Sequence, residues 1–425
     1  MTAIRRSRPT TFLAASAGAA ALALALTACA GGRAEPSTAS GSGTDTTGET
    51  EVAATRLVAT YDGGVLVLEG DTLEVVADLP AEGFLRVNPA GDGRRVFVST
   101  DEGFRVLDTG VTVEEHGDHD HFYAEAPELT DLVFPAEHPG HVTVHAGTTA
   151  LFADGTGEVA LFESDDLRNA DAVDDVDTET YRSAAAHHGV AVALEDGGLL
   201  TTVGTEDSRS GAIVLDADRA EIARTDACPG VHGETVAAGG VVVLGCEDGA
   251  VVWRDGAFTK IAAPDAYGRI GNQAGSPESS VVLGDYKTDP DAELERPTRI
   301  ALIDTASADP ATALRLVDLG TSYTFRSLAR GAHGEALVLG TDGAIHVIDP
   351  ATGAVVNRIP VVEPWTEPMD WQSPRPTITV DGHRVLVTDP EASAVHVVDL
   401  EAAEVVRTAE LPHVPNELTG VGSGH

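Results

Sequence analysis

The chain has 425 residues, with 68 Asp and Glu against 27 Lys and Arg and a formal charge of −41. Such a surface repels phosphate backbones and anionic bilayers, which excludes nucleic acid as a partner and makes cations the natural small ones. The length would suit two or three domains unless the chain is repetitive, so internal repeats decide the architecture.

The N-terminus carries Arg5, Arg6 and Arg8, then an apolar run from Phe12 to about Ala28 that closes on Leu26-Thr27-Ala28-Cys29. A basic start followed by a short apolar run predicts a secretory signal over 1–28. The run falls short of the roughly 20 apolar residues that a membrane span prefers. The Leu-x-Ala-Cys ending resembles the lipobox of bacterial lipoproteins, which implies cleavage before Cys29 and lipidation of its thiol. Residues 29–52 then read as the lipidated cysteine and a flexible Gly/Ser/Thr-rich tether, and 53–425 as a single folded domain. The expected location is extracytoplasmic, on the outer face of the cytoplasmic membrane, with membrane contact through the lipid alone. Of the 3 cysteines, Cys228 and Cys246 remain, and in an oxidising compartment they are expected to pair as a disulfide.

From about Thr55 a unit recurs: a β-branched run, a turn containing Asp-Gly or similar, then a second β-branched run. It appears as LVATYDGGVLVLEGDTLEVV (57–76), RRVFVSTDEGFRVLD (94–108), TALFADGTGEVALFE (149–163), VAVALEDGGLLTTV (190–203) and VVVLGCEDGAVVWRDG (241–256). It continues through 280–305, ALVLGTDGAIHVIDPATG (336–353) and RVLVTDPEASAVHVVDL (384–400). Each is a hairpin signature of period-2 alternation about a turn that tolerates positive φ. The spacing of about 46 residues matches four-stranded propeller blades. The sequence therefore predicts an all-β fold, an eight-bladed β-propeller, with seven blades as the alternative because 257–300 is poorly patterned and carries the acidic insert TDPDAELERP.

Histidines concentrate early in this array. EEHGDHDHFY (114–123) holds His116, His119 and His121 with Asp118 and Asp120 between them, and HPGHVTVH (138–145) holds His138, His141 and His145. Others stand at or near the start of later units: His187 and His188 in AAHHGVAVAL, His232 in CPGVHGETVAAGGVVVL and His333 in RGAHGEALVL. Closure of a propeller brings such positions to the mouth of the channel. His145, His188 and His232, from consecutive blades, are thus expected to meet there, with the loop histidines His116, His119 and His121 laid across the same opening. Imidazoles with an optional carboxylate suit Zn²⁺. Secondary candidates are Asp118, Asp120, His138, His141 and His187, the last less favoured than His188 because successive strand side chains alternate faces. Glu234, two residues beyond His232, is the candidate base if the metal were catalytic. No nucleophile elbow, phosphate loop, dinucleotide fingerprint or His-Glu-x-x-His helix is present, and DDVDTET (174–180) lacks the Gly and terminal Glu of an EF-hand loop.

HGDHDHFYAEAPEL, VHAGTTALFADGTGEVALF, AAHHGVAVAL and CPGVHGETVAAGGVVVLGCEDG together resemble the periplasmic zinc metallochaperones called AztD, over roughly 90–350. That resemblance implies an eight-bladed propeller without enzymatic activity. It would bind Zn²⁺ through histidines near its channel and pass the ion to the solute-binding protein of a zinc ABC importer. His116, His119, His121, His145, His188 and His232 are the positions carried over, and a monomer is expected. The lipobox departs from the family, whose better-known members are free in a periplasm. The competing readings are a zinc-dependent hydrolase on a propeller scaffold and a cell-envelope interaction propeller.

Overall fold

A sheet whose middle strands read Val96-Phe97-Val98 or Val241-Val242-Val243-Leu244 is apolar on both faces, and both must be covered. In the computed structural model, which describes residues 48–50, 55–116 and 119–422 with side chains over 55–112 and 121–422, eight four-stranded blades cover one another in a ring. Seven blades run from an innermost to an outermost strand in chain order. Their innermost strands are Arg86–Pro89, Pro139–His145, Ala191–Ala193, His232–Ala237, Gln273–Ser276, Leu328–Arg330 and Ile378–Asp381. The remaining blade is composite: Thr55–Tyr61, Gly64–Glu69 and Val75–Pro80 take their innermost strand, Leu418–Gly422, from the C-terminus. The eight-blade expectation holds and the seven-blade alternative falls. The poorly patterned region supplies the sixth blade, its acidic insert lying between the strands Ser279–Asp285 and Arg299–Asp304.

Eight apolar clusters, one per pair of neighbouring blades, hold the ring together. One joins Leu57 and Leu66 to Leu386 and Val395, so the last blade packs on the first as any other pair does. Outermost strands show the one-sided pattern instead, as in Val75–Pro80, whose residues alternate between exposed and half-buried over most of their length. The expected disulfide is present: Cys228 and Cys246, both fully buried, are joined with their Cα atoms 4.9 Å apart, inside the cluster between the fourth and fifth blades. Replacing both by serine should lower the unfolding free energy by about 2–4 kcal/mol, read from urea denaturation of oxidised protein. An unchanged midpoint would show that the bridge is dispensable.

Four antiparallel passes return the chain to the face it entered from, so every innermost strand starts at one face, here the entry face. The turns joining first to second strands lie on the opposite, exit face. The His-rich segment is a hairpin, Val111–His116 with His119–Ala124, inserted between the third and fourth strands of the second blade. Its base is on the exit face. Asp108 pairs with both Arg95 and Glu128 at that end of the blade, and the Arg94 guanidinium, in the adjoining turn, donates to Asp108 and Thr112, each at 2.7 Å. Gly48–Thr50 adds a third strand to this hairpin.

Candidate metal centre

The innermost strands of the third and fifth blades are both bulged near the entry face. Register shifts between Pro139 and Val142, and between His232 and Glu234. A bulge inserts an unpaired residue and re-aims the side chains around it. Gly233, at φ +70°, is the extra residue in the fifth blade, a conformation that favours glycine. Gly140 serves differently: a Cβ there would lie 2.2 Å from Asp154 Oδ1, so only glycine lets that carboxylate sit over the strand.

These bulges and the segment leading into Ala191–Ala193 bring His141, His188 and His232 together, with one ligand atom of each within 4.8 Å of the others. Ring centroids are 5.1 Å apart for His141 and His188, 5.0 Å for His188 and His232, and 5.9 Å for His141 and His232. Each ring is held from behind through Nδ1. His188 Nδ1 lies 2.5 Å from Asp154 Oδ2, and His232 Nδ1 lies 2.5 Å from the Gly271 carbonyl oxygen. His141 Nδ1 lies 2.9 Å from Glu234 Oε2 in an ion-pair contact, and that oxygen has no well-aligned hydrogen-bond donor.

A carbonyl and a carboxylate only accept, so Nδ1 of His232 and of His188 carries the proton, and in the neutral rings Nε2 presents a lone pair. These two Nε2 atoms face each other at 3.1 Å. Two lone pairs at that distance repel unless a proton or a metal ion lies between them. Nitrogens bound tetrahedrally at the usual zinc–nitrogen length would be about 3.3 Å apart, close to what is found. Backing of ring N–H groups by carboxylates and a carbonyl is the arrangement that orients metal-ligating histidines.

The electrostatics keep two of the rings distinct. Burial first, then the charge that His141 and His188 would carry, pushes His232 down to about 2, so it stays neutral as a ligand must. Burial also works to lower His141, but the Glu234 carboxylate beside it outweighs burial and the net shift is upward.

The other sequence candidates fall elsewhere. His145 ends the same strand that carries His141, on the exit face, with Nδ1 2.7 Å from the Ala193 carbonyl oxygen, and it is not in the cluster. His187 is 2% exposed, with Nδ1 2.9 Å from Ala185 O, Nε2 3.0 Å from Thr202 Oγ1 and its ring edge-on to Phe152. Both ring nitrogens are therefore occupied, and it is His188, the member that alternation favours, whose ring joins the cluster. His138 is exposed in a turn at φ +53°. His333 lies in an exit-face turn, its ring 5.7 Å from that of His383. His116 and His119 pair across the tip of the inserted hairpin; their side chains, and that of Asp120, lie outside the described residues, as do Asp118 and Cys29 entirely. His121 lies beside Tyr123, with ring centroids 6.4 Å apart. Because the hairpin springs from the exit face, its histidines do not share a base with the centre on the entry face.

No family model matches the chain. Among curated proteins, the zinc chaperone AztD of Citrobacter koseri is 25% identical over 391 residues, covering 88% of each chain. This chain is AztD-like. The crystal structure of Citrobacter koseri AztD superposes with a TM-score of 0.73 at 24% identity, over 88% of this chain and 99% of that one, and the apo form gives 0.72 at 23%. A dihydro-heme d1 dehydrogenase, NirN, shares the fold at TM-score 0.53 and 15% identity.

One sequence signal separates His141 from His145. His188, His232 and His141 each precede the first hairpin turn of their blade by a whole strand length, whereas His145 abuts that turn. Counting back from the turn, rather than forward from a motif, would have selected the histidine that joins the cluster.

Proposed function

We propose that the protein is an extracytoplasmic zinc metallochaperone that captures Zn²⁺ at His141, His188 and His232 and surrenders it by ligand exchange to the solute-binding protein of a zinc ABC importer. The observation that carries this reading is the convergence of three imidazoles whose Nδ1 atoms are tied back, with two Nε2 atoms 3.1 Å apart. Three neutral nitrogens form a borderline-soft set suited to zinc rather than to Ca²⁺ or Mg²⁺. The curated relative is named a zinc chaperone, which supports a carrier rather than an enzyme. Glu234, the sequence candidate for a catalytic base, faces the His141 ring, which fits it to orienting a ligand.

Release needs an open side, and the His188 side chain, 41% exposed, provides one. A recipient's ligand can approach there and replace one imidazole while the other two hold the ion. Lipidation at Cys29, with residues 29–52 as a tether, would keep the carrier on the outer face of the cytoplasmic membrane and within reach of an importer. Zinc-loaded protein mixed with the importer's binding protein should lose its ion faster than it does to a dilute chelator. Equal rates would mean free dissociation and end the hand-over reading.

A further inference from the structure

Most arginines described in this acidic chain are committed to carboxylates: Arg94 and Arg95 to Asp108, Arg219 to Glu179, Arg326 to Glu417 and Arg375 to Glu367. Arg209 and Arg269 are not. Both are half-buried, and among the described residues neither guanidinium makes a hydrogen bond or an ion pair. Both lie on the entry face beside the histidine centre. The Arg269 guanidinium packs on Gly271, with Nη2 3.0 Å from where a Cβ would stand, and the Gly271 carbonyl is the group that fixes His232. Arg209 opens the third strand of the fourth blade, its stem packed with His187 around Gly204.

Backbone contacts tie the two to one corner of that face, since Gly230 N–H donates to Arg209 O at 2.9 Å, Glu247 N–H to Pro229 O at 2.8 Å and Gly268 N–H to Glu247 O at 2.9 Å, and each cation feels the other. The carboxylates that face the pair are Glu247 and Asp154 at Arg209 and Asp285 at Arg269, none in an ion pair with either; Asp154 is held by His188, and Asp285 accepts the Gly271 and Asn272 N–H groups. Two like charges placed together in a half-buried rim are unfavourable unless an anion joins them. Guanidinium forks match carboxylates in two-point fashion. At −41, the rest of the chain repels anions, so two guanidiniums without an ion-pair partner give an acidic ligand one place to approach.

We propose that Arg209 and Arg269 form an anion subsite at the edge of the three-histidine centre, one that seats a carboxylate of the acidic acceptor to which the centre yields its ion. This rests on the carrier reading above. A carboxylate oxygen held there forms a bond to zinc as one imidazole Nε2 leaves neutral, with no proton or electron transferred.

The test follows zinc removal from loaded protein by stopped flow, using nitrilotriacetate, which offers three carboxylates, and tris(2-pyridylmethyl)amine, which offers none. The nitrilotriacetate rate should fall as salt is raised, and should drop about tenfold or more in an Arg209→Met/Arg269→Met variant. The pyridyl rate and the zinc stoichiometry should stay unchanged. A nitrilotriacetate rate that rises with salt, as repulsion by the whole chain demands, overturns the subsite. So does a variant that retains its zinc and matches the wild-type rate. The salt dependence needs only wild-type protein, so it decides the matter even if the double variant folds poorly. Wild-type protein that holds no zinc would instead sink the carrier reading, and this inference with it.

Discussion

A His188→Ala/His232→Ala variant should lose one equivalent of bound zinc in equilibrium dialysis, while a His119→Ala/His121→Ala variant should retain that equivalent. The first change removes both members of the pair whose Nε2 atoms face each other at 3.1 Å, leaving a single imidazole too few to hold the ion. The second alters a hairpin whose base is on the opposite face of the ring. Asp154→Asn should have a graded effect, weakening zinc binding by about 10–100-fold, because it removes the carboxylate that fixes the ring and raises the basicity of His188. If the His188/His232 variant still binds every equivalent that the wild type binds, the ion sits elsewhere, and the hairpin becomes the first place to look.

Deleting residues 416–425 should abolish cooperative folding. The deletion removes the innermost strand of the composite blade, Leu418–Gly422, which pairs antiparallel with Thr55–Tyr61 from Ala59↔Leu418 to Thr55↔Gly422. It also removes Asn416 and Glu417, the polar knot of the closure. The Glu417 carboxylate receives Arg86 Nε at 3.1 Å, the Val87 amide at 3.2 Å and Arg326 Nη2 at 2.9 Å, and its own backbone N–H donates to Thr60 Oγ1 at 3.0 Å. Without Glu417 the Arg326 guanidinium, 7% exposed, is left unpaired, a loss of about 3–5 kcal/mol for a buried pair. Burial of Leu418 and Val421 adds about 1.5–3 kcal/mol for each side chain. Together these approach the whole stability of an ordinary domain. Circular dichroism and urea denaturation of the truncated chain should show no native transition. A midpoint equal to that of the full chain would mean that the ring closes by other means. Glu417→Ala, which keeps the strand, should unfold cooperatively at a lower midpoint.

The sequence by itself determined the repeating unit. Alternation around Asp-Gly turns in 94–108 or 241–256 is a local property, set by side-chain period and turn chemistry, and it survives without knowledge of any partner strand. Eight such units at a blade-like spacing were enough for the fold, and two leftover cysteines in an exported chain were enough for the Cys228–Cys246 bridge. That histidines distant in the chain should meet at the channel was legible for the same reason, since ring closure follows from the repeat. The meeting of His188 with His232 was legible in this way.

Only the tertiary structure decided which histidine of the third blade joins them. Bulges at 139–142 and 232–234 alter register, and register fixes which side chains face inward, so His141 reaches the centre and His145 points to the opposite end. The face from which the His-rich hairpin emerges depends on strand direction within its blade, which no composition reports. The groups behind the rings, Asp154, Glu234 and the Gly271 carbonyl, all lie one blade away or more from the histidines they hold; Glu234 is near His232 in sequence but serves His141, two blades back. Those contacts are set by packing between blades, and packing is a property of the closed ring rather than of any stretch of chain.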